Sequence, residues 1–187
     1  MVVKLILPRR NLDERGWFAE TYHAARYAEL GVDVGFCQDN QVRSHLAGAL
    51  RGLHFQRPPH GQAKLVRCVH GRIWDVAVDI RSGSPTYGKW VAAELTAESG
   101  LQIFVPIGFA HGYLTLEAET EVEYKVSDFY APDCEGGLIW DDPTLAVPWP
   151  LGAGAPLLSP KDRLLPRLKD FESPFDYDGR PLTPLEF

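Results

Sequence analysis

Glu121-Val122-Glu123-Tyr124-Lys125-Val126 alternates charged and uncharged side chains with a period of two. That is the pattern of a β-strand with one wet face and one buried face, and it turns Val122, Tyr124 and Val126 inward. Ile73-Trp74-Asp75-Val76-Ala77-Val78-Asp79-Ile80 has the same length and character. One of its faces carries Trp74, Val76, Val78 and Ile80; the other carries Asp75 and Asp79 with Ile73 and Ala77. Those two acids are either solvated or the rim of a polar pocket. Outward from these two stretches, strand-like patterning recurs at residues 2–7, 16–21, 36–44, 49–56, 63–70, 72–80, 88–97, 101–106, 111–117 and 121–130. Fifteen prolines and seventeen glycines separate the segments. So many short strands at close spacing indicate an antiparallel sandwich or barrel. Two places read as helical. Residues 22–30 have Thr21 as a possible N-cap and Gly31 as a stop, and a second helix begins at Ser159 with Pro160 in its first turn. Residues 152–155 read as a small inserted loop.

The expected product is one mainly β domain over residues 1–187, with a few short helices and a helical or irregular tail at 159–187. Apolar residues make up 45% and charged residues 24%, as in an ordinary globular chain. No apolar run approaches the roughly 20 residues that span a bilayer, and the N-terminus lacks a secretory pattern. Three cysteines, Cys37, Cys68 and Cys134, have no metal-type spacing and favour reduced thiols in a cytoplasmic protein. A net charge of −6 argues against nucleic acid as a partner. An anionic small molecule remains open, provided its cations are local.

Ala49-Leu50-Arg51-Gly52-Leu53-His54-Phe55-Gln56 supplies such cations, with Lys64-Leu65-Val66-Arg67 eight residues later. A neutral imidazole removes a proton, and nearby cations hold the anion left behind, which suits enolisation beside a carbonyl. Strict alternation sends Arg51 and His54 to opposite faces. A bulge or kink at Gly52 lets both reach one pocket. Taken alone, His54 reads as a core histidine and Tyr124 as a core tyrosine with a backbone partner. Asp162 lies three residues after Ser159, the spacing of a helix capping box.

Pro106-Ile107-Gly108-Phe109-Ala110-His111-Gly112 contains Pro-x-Gly-x-x-His, which resembles the second motif of cupin barrels. In many cupins that histidine binds metal together with a His-x-His pair and a glutamate. Here only His54 stands in the corresponding place, so the three or four convergent ligands of a transition-metal site are missing. No metal and no cofactor are expected.

The ordered blocks Asp13-Glu14-Arg15-Gly16-Trp17-Phe18-Ala19-Glu20, Gln38-Asp39-Asn40, Leu50–Gln56, Lys64–Arg67, Asp75–Asp79, Ser84-Pro85-Thr86-Tyr87-Gly88, Pro106–Gly112, Tyr124-Lys125 and Ser159-Pro160-Lys161-Asp162 resemble the dTDP-4-dehydrorhamnose 3,5-epimerase family. The resemblance runs from about Asp13 to Leu168. It implies a metal-free cupin jelly roll, a homodimer, and inversion at C3 and C5 of a 4-keto-6-deoxy hexose linked to dTDP. It further implies His54 as the base, Asp162 as its carboxylate partner, Lys64 at the enolate oxygen and Tyr124 as the acid on the opposite ring face.

By the same match, Arg15, Glu20, Gln38, Asn40, Arg51, His111, Glu135 and Lys161 hold the nucleotide. Arg51 and Lys161 suit phosphate oxygens, and Phe18 with Trp17 offers a surface for the base. Val2-Val3-Lys4-Leu5-Ile6-Leu7 is β-prone and apolar, an edge that is covered or paired with a second chain. The alternatives are a single-centre epimerase or ketoisomerase of a related nucleotide sugar, and a cupin that binds the sugar nucleotide without turning it over. His54, Lys64 and Tyr124 together weigh against the last.

Overall fold

All ten segments with strand-like patterning contain strands in the computed structural model, which describes residues 1–152 and 154–186. In chain order these and two more are β1 (Lys4–Ile6), β2 (Arg10–Asp13), β3 (Gly16–Ala19), β4 (Gln38–Ser44), β5 (Leu50–Gln56), β6 (Lys64–His70), β7 (Arg72–Asp79), β8 (Trp90–Thr96), β9 (Gln102–Val105), β10 (Phe109–Thr115), β11 (Thr120–Val126) and β12 (Glu135–Gly137). Strands β2 and β12 carry no strand-like pattern, because Arg10-Asn11-Leu12-Asp13 is mostly polar and Glu135-Gly136-Gly137 is mostly glycine, both poor strand compositions. Of the inserted loop at 152–155, Ala153 lies outside the described residues.

The strands form two five-stranded antiparallel sheets of jelly-roll type, ordered β1-β9-β6-β11-β4 and β12-β5-β10-β7-β8. A separate hairpin pairs β2 with β3. Between the sheets lies a core that takes Val66, Cys68, Ile103 and Val122 from one sheet and Ile73, Ala77, Leu95 and Tyr113 from the other. Each sheet also has a covered back. Trp74, Val76, Val78 and Ile80 pack against Leu138, Leu145, Trp149, Leu168 and Phe175 of the C-terminal segment. On the other back, Leu65 and Phe104 pack against Ile6, Tyr27 and Val32. Fully burying such side chains stabilises by roughly 1.5–3 kcal/mol each, so the C-terminal segment is part of the core.

This layering decides the two acids of β7. They are neither solvated nor a rim: Asp75 and Asp79 are both fully buried. Their face looks into the space between the sheets, because the more apolar face is the one roofed by the C-terminal segment. Asp79 accepts hydrogen bonds from Arg81 Nε (2.9 Å), Ser84 Oγ (2.7 Å) and Thr86 Oγ1 (2.7 Å). Burial pushes its carboxyl up, but these donors outweigh burial and hold it below the usual carboxylate range.

The helices are shorter than their patterns. The first, α1, spans Ala24–Glu29 with His23 at its N-cap. Thr21 is not the cap; its carbonyl instead accepts from Tyr27 Oη (2.7 Å) and Gln102 Nε2 (3.0 Å), which ties the approach to the helix to the sheet. The helix expected from Ser159 is a single 3₁₀ turn, Asp162–Leu164. Pro166 disfavours helical backbone at Leu165 and stops it there. The strand expected to reach Tyr130 ends at Val126, where Ser127 turns its Oγ to the Ala63 amide (2.8 Å).

Candidate active site

The pocket begins with a fault in β5. His54 pairs with His111, but Arg51 pairs with Tyr113, so three residue steps on β5 match two on β10. One extra residue on a strand is a β-bulge, and it sits where Gly52 does. Gly52 has φ +123°, and a Cβ there would stand 2.6 Å from Gly112 Cα. The two glycines let the strands touch at the bulge. Arg51 and His54 thereby escape alternation and line one cavity of about 220 Å³ with Lys64, His111, Tyr113, Tyr124, Lys161 and Asp162.

His54 is held by an acid from far along the chain. Its Nε2 lies 2.6 Å from Asp162 Oδ1. The His54 side chain is 32% exposed while that of Asp162 is 5% exposed, so the imidazole faces the cavity and the carboxylate stands behind it. The cap and the pairing do not compete. Ser159 Oγ takes the Asp162 amide at 3.1 Å, which leaves the carboxylate to His54. Burial pushes the Asp162 carboxyl up, but hydrogen bonding to His54, the charge of His54 and contacts to Ser159 and the Gly52 backbone outweigh it. The acid is held ionised. With Nε2 so engaged, Nδ1 is the imidazole nitrogen left for a proton from the cavity.

Lys64 enters from β6 on the facing sheet, with Nζ 3.4 Å from the His54 carbonyl oxygen. Burial draws its ammonium down to about 8, against the pull of Asp75 and Glu135. Tyr124 lies on β11 beside Val66 of β6. Burial pushes its phenol up, and Arg51 draws it partly back. A base on one sheet therefore faces a phenol on the other across the cavity.

His111 is buried, and both Asp75 oxygens lie 2.9 Å from its Nε2. Burial pushes the Asp75 carboxyl up, against His111 and Lys64. At the mouth, Lys161 pairs with Glu135 Oε2, which also accepts from Tyr130 Oη at 3.0 Å. Burial raises the Glu135 carboxyl, but Lys161 and Tyr130 outweigh it and hold it low. Gln38 and Asn40 share one face of β4 with Val42, which touches the cavity, and Gln38 Nε2 donates to Asn40 Oδ1 at 2.9 Å.

Three expected site residues are elsewhere. Arg15 pairs with Asp13 (2.6 Å) and Glu20 with Arg26 (2.7 Å), while Phe18 is 70% exposed on the β2–β3 hairpin. Arg10 braces that hairpin, its guanidinium 4.2 Å over the Trp17 ring. None of the three lines the His54 cavity. Asp75, Ser159 and Tyr113 were not read as site residues. Asp75 had a signal, an acid within a largely apolar run; Tyr113 had the weaker one of standing two residues after His111, on the same strand face. Among the described residues, no three His, Cys, Asp or Glu side chains converge as a metal site requires.

A buried carboxylate behind an imidazole, a cation beside it and a phenol opposite can take a proton from one side of a planar centre and return one to the other. The comparisons agree with that chemistry. The family model for dTDP-4-dehydrorhamnose 3,5-epimerase matches residues 2–170. A dTDP-4-dehydrorhamnose 3,5-epimerase of Sinorhizobium fredii is 49% identical over 94% of this chain and 89% of its own. The crystal structure of a dTDP-6-deoxy-D-glucose-3,5-epimerase from Legionella pneumophila, in complex with dTDP-4-keto-L-rhamnose, superposes with a TM-score of 0.86. It is 46% identical and covers 91% of this chain and 89% of that one. A dTDP-4-dehydrorhamnose 3-epimerase of Streptomyces niveus is 42% identical over 84% of this chain and 75% of its own. The chain belongs to the dTDP-4-dehydrorhamnose 3,5-epimerase family.

Proposed function

We propose that this protein inverts C3 and C5 of dTDP-4-dehydro-6-deoxy-D-glucose, giving dTDP-4-dehydro-L-rhamnose, with His54 as the base at both carbons. The observation that carries the reading is the His54–Asp162 pair facing Tyr124 across one cavity. The C4 ketone acidifies the hydrogens on C3 and C5. His54 Nδ1 takes one of them, the C–H pair becomes the enolate π bond, and the ketone oxygen gains the charge. Lys64 stands beside the base to balance that charge. The enolate carbon is planar, so a proton from Tyr124 on the far face returns it to a ketone with inverted configuration. Asp162 stays ionised, fixes the imidazole and stabilises its protonated form. One base serves both carbons because both flank the same carbonyl. The test is deuterium incorporation at C3 and C5 when the substrate is turned over in deuterated water.

The nucleotide end is assigned to Arg51, Lys161, Glu135, His111, Gln38 and Asn40 of the same chain, with Arg15, Phe18 and Glu20 supplied by a second copy. Two observations support a homodimer. The cavity of about 220 Å³ is below the roughly 300–1,000 Å³ of small-molecule sites. And the β2–β3 hairpin leaves Phe18 exposed at 70% on one face and Trp17 with Leu12 at 55% and 80% on the other, apolar surface that an interface would cover. A substrate with several negative charges then meets arginines from two acidic chains.

Mixing Arg15→Ala and His54→Ala subunits provides the test. If the site draws on both chains, each mixed dimer has one intact site, and activity returns from two inactive parents. Verified heterodimers without recovery place Arg15 in its own subunit's site, and an Arg15→Ala parent with full activity places it outside the site.

A further inference from the structure

One group in the cavity has no task in this mechanism. Tyr113 lies on β10, two residues from His111, with their ring centroids 6.3 Å apart. It is 5% exposed, and its hydroxyl is the one buried side-chain polar atom without a hydrogen-bond partner among the described residues. The acid nearest in register, Asp75 of β7, directs both carboxylate oxygens at His111. Phenylalanine would fill the same space without an orphaned hydroxyl, and an unpaired buried donor costs more than the hydrogen bond it forgoes. Burial pushes the phenol well above its usual range, so it is a donor at every working pH.

We propose that Tyr113 is a specificity-determining residue whose hydroxyl hydrogen-bonds the C2 hydroxyl of the bound sugar. This rests on the epimerase reading above, and the choice of C2 follows from elimination around the ring. C4 is the ketone beside Lys64, C5 carries no hydroxyl, C6 is deoxy, and C3 changes configuration, so a fixed contact to its hydroxyl would break during turnover. C2 is the remaining hydroxyl-bearing carbon, and it neighbours the anomeric carbon that bears the diphosphate. Tyr113 has the matching place in the fold. Its register partner across β5 is Arg51, the guanidinium assigned to that diphosphate, and both line the cavity with His54. A site built to satisfy a buried hydroxyl discriminates against an analogue that lacks it, because its own polar group is then stranded.

The experiment compares wild type with Tyr113→Phe on the intact substrate, on its 2-deoxy counterpart and on dTDP alone. The variant removes one oxygen and keeps the ring, so the fold survives; its melting temperature is expected to match or exceed wild type. For the intact substrate, kcat/KM should fall about five- to thirty-fold. For the 2-deoxy counterpart it should not change, and dTDP affinity should not change either. Equal losses on both sugars, an equal loss of dTDP affinity, or no loss on the intact sugar would each overturn the proposal. The epimerase reading fails separately. If wild type turns over neither sugar, calorimetric binding of the two sugar nucleotides reads the same contact, with the same selective loss expected in Tyr113→Phe. A wild type that binds neither overturns both readings, whereas normal turnover with an indifferent Tyr113→Phe overturns only the role of Tyr113.

Discussion

His54→Ala is expected to abolish solvent exchange at both C3 and C5 while leaving sugar-nucleotide binding within a few-fold of wild type. The double loss follows from the geometry. His54 is the imidazole that faces the cavity with a carboxylate behind it, whereas His111 has its Nε2 between both oxygens of Asp75 and is buried. Removing a general base costs about 10²–10⁴-fold, and more where no other group substitutes. The side chain is 32% exposed and its loss opens no closed cavity, while the buried Asp162 loses its partner, so a lower melting temperature is expected without loss of the fold. Proton NMR of the substrate in deuterated water reads the two positions separately. Near-normal exchange at either carbon in this variant would mean that a second base serves it.

Tyr124→Phe should separate two events that wild type couples. His54 remains, so a hydrogen should still leave for solvent and return on the same face. Inversion should fall by about 10²–10⁴-fold, the range for a positioned acid. Burial pushes the proton affinity of the phenol up and keeps it protonated in the resting site, while the Arg51 charge works the other way and favours the phenolate left once the proton has gone. The ring packs against the core between the sheets, so keeping its volume isolates the hydroxyl. Epimerisation at the normal rate in Tyr124→Phe would return Tyr124 to the status of a core residue.

Much of this site was legible in the sequence because strand alternation is a simple code. Glu121–Val126 alone put Tyr124 on the inward face, and Val122 and Tyr124 are packed in the core between the sheets. Gly52 announced the bulge that brings Arg51 beside His54, since a glycine inside an apolar strand needs a reason. What alternation does not say is which face is inside when both are covered. Asp75 and Asp79 were misplaced on that account: the apolar face of β7 is buried under residues far along the chain, and the acid-bearing face is buried between the sheets. The pairing of His54 with Asp162 spans 108 residues, and local spacing favoured a helix cap. The resemblance to the epimerases gave that partner where spacing did not. Tyr113 stayed hidden for a different reason. A tyrosine on a buried strand reads as core, and only the missing partner of its hydroxyl distinguishes it.

One histidine–carboxylate pair is expected to enolise the sugar on both sides of its ketone. The most direct measurement is turnover of dTDP-4-keto-6-deoxyglucose by the wild-type protein in deuterated water, with deuterium read at C3 and C5 of the product by NMR. Deuterium at both carbons and a product inverted at both are the expected result. Deuterium confined to one carbon, with the other centre unchanged, would contradict it and place the chain with single-centre epimerases.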